Sequence, residues 1–138
     1  MKPLPPLKES LVLRTDYSNE AAWQSLRDAI EKPVGEFRAY VDFVSDPDYA
    51  NLEMEDLLEV CSGLKRDGFA FVVDHLAIFH PEHPILVVDL LNEPGRYFRV
   101  IPAEAWGIEN NLSIGNMGFE EFYDATDADG IFRGFTEK

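Results

Sequence analysis

Residues 68–102 read GFAFVVDHLAIFHPEHPILVVDLLNEPGRYFRVIP, and the architecture of the whole chain turns on them. They contain two apolar runs, Phe69–Val73 and Ile85–Val88, with no polar residue inside either. A strand that alternates apolar with polar residues keeps one face wet, whereas an unbroken apolar run is covered on both faces. Both runs therefore belong inside a sheet with helices on each side. Between the second run and "RYFRVIP" stands "NEPG", residues 92–95, a turn that closes an antiparallel hairpin over residues 85–101. The ten residues from His75 to Pro84 are a short link for a parallel crossover, so the direction of the strand after them is the open point of the topology.

Working upstream, Leu11 to Thr15 form a short buried strand, and Ser18 caps the helix "NEAAWQSLRDAIEK", whose Ala22, Leu26 and Ile30 make one apolar stripe with Trp23 beside it. Pro33 and Gly35 end that helix. "FRAYVDFV" follows as a strand with Ala39, Val41 and Phe43 on one face, and "EMEDLLEVCSGL" as a helix stopped by Gly63. Downstream of the hairpin, "AEAWGIENNL" and "NMGFEEFYDA" are helical, and "DADGIFRGF" is a turn and a short extended piece. Residues 1–9, with three prolines, are an extended arm, and residues 10–138 a single domain. The expected fold is an α/β three-layer sandwich, with a mixed, mainly parallel sheet of about five strands and helices on both faces.

At 138 residues the chain is long enough for a true hydrophobic core. Cys61 is its one cysteine, which leaves no internal disulfide and points to the cytoplasm. No apolar run reaches the length of a membrane span. Twelve basic residues against 26 acidic ones give a net charge of −14, which repels nucleic acid and anionic membrane alike. Residues 42–60 and 100–132 carry acidic residues and no Lys or Arg.

Several chemistries fail on a required residue. A phospho-accepting receiver needs a lysine after a late strand, but only the terminal Lys138 follows Lys65. A haloacid-dehalogenase-type phosphatase needs Asp-x-Asp after its first strand, where this chain has "RTDYS". Neither a nucleophile elbow nor a glycine-rich phosphate loop occurs. "HPEH" spaces two histidines at i, i+3, but its prolines make it a loop. "DATDADGIFRGF" resembles a calcium loop around Gly130 yet has Ala125 in its first ligand position. Cys61, near a helix end, reads as a buried structural thiol. No catalytic set, metal site or cofactor is assigned.

Two groups remain. Asp16, Asp46, Asp74 and Asp89 fall at strand ends, where open α/β sheets bind ligands. Arg14, Arg99 and Arg133 each follow an apolar residue in an extended segment, and a buried arginine needs a partner. Either each pairs with a carboxylate of this chain, or they converge on an anion, with Arg14, Asp16, Ser18, Asp74, Arg99 and Arg133 as the binding set.

"LVLRTDYSNEAAW", "DPDY", "FVVD", "VVDL", "FRVIP", "NNLSIGNMGFEEF" and "DGIFRGF", taken in this order, resemble a family of small uncharacterised, chiefly bacterial proteins known only as a domain of unknown function. The resemblance runs from about Leu11 to Phe135. It implies a self-contained domain and carries no activity, substrate or cofactor.

The charge, the small size and the lack of a complete catalytic set favour an acidic, non-enzymatic binding domain, monomeric or homodimeric, that covers a basic protein partner in an immunity-like or regulatory role. The competing expectation is a small enzyme or ligand-binding protein that uses the strand-end crevice for an anion, with or without a divalent metal.

Overall fold

The computed structural model describes residues 2–64 and 68–135. Six strands form one sheet: β1 (Ser10–Arg14), β2 (Val41–Val44), β3 (Phe69–Val73), β4 (Ile85–Asp89), β5 (Tyr97–Val100) and β6 (Ile131–Phe132). Their order across the sheet is β2-β1-β3-β4-β5-β6. β1 pairs in parallel with β2 and β3, β4 is antiparallel to β3 and β5, and β6 is parallel to β5. Only β4 runs against the rest. The short link from β3 therefore turns the chain back, and its first residues form a one-turn helix, α3 (His75–Phe79), where the sequence reads as loop. The sixth strand is the extended tail piece, whose two residues are too few to show a period.

The other helices are α1 (Glu20–Glu31), α2 (Met54–Val60), α4 (Ala105–Ser113) and α5 (Phe119–Tyr123), with 3-10 turns at Pro47–Tyr49 and Pro102–Glu104. On one face of the sheet, α1, α3, α4 and α5 bury Trp23, Leu26, Ile78, Ile108 and Phe122 against Val12, Phe71, Val87, Phe98 and Phe132. On the other, α2 and the N-terminal arm bury Leu57, Cys61, Leu4 and Leu7 against Leu11, Leu13, Val72, Leu86 and Val88. This is the three-layer arrangement that unbroken apolar central strands require.

Local chemistry moves two boundaries. α1 is capped by Asn19, whose side chain accepts the Ala22 amide at 2.9 Å. Ser18 is not the cap; its amide and hydroxyl both donate to the Asp16 carboxylate two residues earlier. α2 closes at Val60, before Gly63, with the Cys61 amide donating back to Leu57. The hairpin forms as its turn predicts: the Asp89 carboxylate accepts the amides of Leu91, Asn92 and Glu93 and a guanidinium nitrogen of Arg96. Among the described residues, no helix is long and apolar enough to cross a membrane.

Candidate functional site

Five of the six strands point the same way, so their C-terminal ends make a common rim. Arg14 ends β1, Asp46 follows β2, Asp74 follows β3, and Arg133 follows β6. Asp89 is absent from that rim. It ends β4, the one reversed strand, and so lies at the opposite edge of the sheet.

Arg14 is only 3% exposed. Its Nε donates to the Asp16 carbonyl at 3.0 Å, Nη2 to Glu20 at 2.8 Å and Nη1 to the Ser45 hydroxyl at 3.3 Å. The guanidinium also lies over the rings of Tyr17 and Trp23. Planarity and a fixed fork of donors let one arginine tie β1, α1 and the end of β2 together while stacking on aromatic faces. Arg99 makes a two-pronged pair with Asp74 at 2.9 and 2.7 Å and donates to the Pro84 carbonyl at 3.0 Å. The same carboxylate accepts the Ala77 amide and caps α3. Arg133 is held by Glu82 (2.7 Å), Asp127 (2.7 Å) and Asp129 (2.7 Å). These hydrogen bonds, Glu82 first, push the guanidinium pKa up and hold the carboxyls of Glu82 and Asp129 below their usual range. The calcium-like loop thus grips an internal guanidinium.

Arg14 stands apart from Arg99 and Arg133, which lie on β5 and directly after its neighbour β6. β3 and β4 lie between β1 and β5, about 14 Å of sheet. Side chains also alternate faces along a strand. Arg14 shares its face with Val12 under α1, whereas Arg99 aligns with Leu86 on the face of α2. Of the expected binding set, Arg14, Asp16 and Ser18 come together at the end of β1, and Arg99 with Asp74 at a second place, so Arg14 and Arg99 do not face one another.

Asp16, 6% exposed, accepts from both polar groups of Ser18 and meets His75 Nδ1 at 3.0 Å. Burial alone raises a carboxyl pKa, but the Ser18 hydroxyl and amide and the His75 ring outweigh it, and the Asp16 carboxyl sits below its ordinary value. An ionised carboxylate only accepts, so His75 Nδ1 is the donor. The histidine side chain is 72% exposed and rests on Phe79. It is an oriented imidazole at the rim, and no serine or cysteine nucleophile hydrogen-bonds to it among the described residues.

The other histidines serve the link itself. His83 Nδ1 donates to the Ala77 carbonyl, and His80 Nδ1 accepts the Glu82 amide. Among the described residues, no group of three or more His, Cys, Asp or Glu side chains is placed to hold a metal ion. Sequence reading did not find Glu20, Ser45 and Glu82, the partners of the arginines, or His75 as the partner of Asp16. Glu82 and Arg133 are 51 positions apart, and nothing local signals such a pair.

These features define a small mixed α/β domain whose rim arginines are paired with its own carboxylates. The chain belongs to the family described as a domain of unknown function (DUF6924), whose model matches residues 9–135. A comparison with curated proteins finds no match.

Proposed function

We propose that this is an acidic, non-enzymatic binding domain that covers a basic protein partner. The observation that carries the reading is the use of its arginines: Arg14, Arg99 and Arg133 are each neutralised by a carboxylate of the chain itself, which leaves none of the three to grip an anionic substrate. Beyond them stands the surplus of 26 acidic over 12 basic residues. An excess of this size steers an oppositely charged protein into encounter and makes association salt-sensitive.

Affinity capture from native lysate at low salt tests this directly. The expected result is a basic protein recovered near one-to-one and released as salt is raised. Recovery of no basic protein in stoichiometric amount would remove the reading.

A further inference from the structure

The N-terminal arm, KPLPPLK at residues 2–8, holds three prolines. Each fixes its own φ, and Lys2, Leu4 and Pro5, which precede prolines, are steered away from the helical region. Among the described residues, no backbone group from Leu4 to Leu7 hydrogen-bonds to any other group of the chain. These are the conditions of a polyproline II helix, which has three residues per turn and no internal hydrogen bonds. The burial of the arm repeats with that period. Leu4 and Leu7 turn inward onto the α2-side cluster, whereas Lys2, Pro3, Pro5, Pro6 and Lys8 are exposed.

The arm is fastened at both ends. The Pro3 carbonyl accepts the Tyr49 hydroxyl at 2.8 Å and Lys2 pairs with Asp46, while the Asp42 carboxylate accepts the amides of Lys8 and Glu9 at 2.7 and 2.8 Å. One edge of the three-sided helix, Leu4 with Leu7, is thus spent on the domain. The other two, Pro3 with Pro6 and Pro5 with Lys8, face solvent. Aromatic-lined grooves recognise such helices because they are formed before binding and lose little entropy on it. Pro3-x-x-Pro6-x-Lys8 offers this kind of ridge with a cation at one end, and Lys8 pairs with no carboxylate among the described residues.

We propose that the outward edges of the arm, Pro3, Pro5, Pro6 and Lys8, dock into an aromatic-lined groove of a partner protein, of the kind that SH3 domains present, with a carboxylate of the partner meeting Lys8. Leu4 and Leu7 keep the arm on its own domain throughout. The net charge of −14 gives an acidic groove no long-range attraction, so the prolines supply the affinity and Lys8 the direction. This surface and its partner are independent of the acidic-domain reading above.

The test is a titration of the isotope-labelled full chain with a set of SH3 domains that take Pro-x-x-Pro-x-Lys peptides, read by amide chemical shifts. The expected result is saturable binding to at least one of them, with shifts on Leu4, Leu7, Lys8 and Glu9. Affinity should fall about tenfold in Pro6→Ala, the loss of two buried methylenes, while the β3 and β4 amides of that variant keep their native shifts. Absence of saturable binding to every domain of the set, or an affinity unchanged in Pro6→Ala, overturns the docking ridge and leaves the acidic-domain reading standing. Binding accompanied by shifts across Leu11, Leu57 and Cys61 also overturns it, because Leu4 and Leu7 then leave the domain.

Discussion

Arg14 shows what a single guanidinium does inside an acidic protein. Three donors reach three different acceptors while its plane covers Tyr17 and Trp23. A lysine at this position supplies charge without the fork, so Arg14→Lys should cost about 1.5–3 kcal/mol, the range for hydrogen bonds to a charged group. Glu20→Gln should also lower the urea midpoint, because it leaves the buried Arg14 guanidinium without its carboxylate partner, though by less than a fully buried pair would since Glu20 itself is exposed. Equal midpoints for Arg14→Lys and the native chain would show that the fork contributes nothing. Cys61 gives a second check. Burial pushes its thiol up to about 11, so it should ignore a thiol reagent at pH 8 until the chain is unfolded. Rapid native labelling would contradict its place under α2. That Arg14, Arg99 and Arg133 need partners was legible, because each interrupts an apolar segment. The identity of those partners was not, since a sequence with carboxylates throughout offers many candidates and only tertiary packing selects among them.

Among the elements, the β4–β5 hairpin depends most visibly on one side chain. Burial would raise the Asp89 carboxyl pKa, but the amides of Leu91 and Glu93, the Arg96 guanidinium and the Asn92 amide together bring it below the ordinary 3.8. A depressed folded pKa contributes stability that is fully present above the unfolded value and is lost as pH falls through the folded one. Asp89→Asn should therefore be destabilised by about 1.5–3 kcal/mol at neutral pH, since an amide cannot replace a carboxylate accepting four donors. That deficit should shrink as pH is lowered from 3.8, when the native carboxylate protonates too. Unfolding curves at pH 7 and pH 3 measure this, and a deficit that stays constant would assign it to packing. The hairpin was legible from "NEPG" and its flanking apolar runs. Helix α3 was not, because Pro81 and Pro84 signal a loop and mask the single turn that Asp74 caps before them. β6 was visible only as an extended piece, its pairing being set by β5.

For the molecule as a whole, the alternation of strands and helices made the layered α/β fold readable, and the charge balance made the acidic surface readable. The shared rim was half readable. Strand ends carry Asp16 and Asp74 as expected, but reversal of β4 removes Asp89, and the alternation of faces separates Arg14 from Arg99. We infer that these arginines serve the fold and hold no external anion. It is tested most directly by the melting temperature of the full chain with phosphate, a nucleotide and a tricarboxylate, each as the sodium salt at constant ionic strength. The melting temperature should be the same throughout. A rise of a few degrees with any of them that disappears in Arg99→Ala or Arg14→Ala, while either variant still unfolds cooperatively, would contradict it.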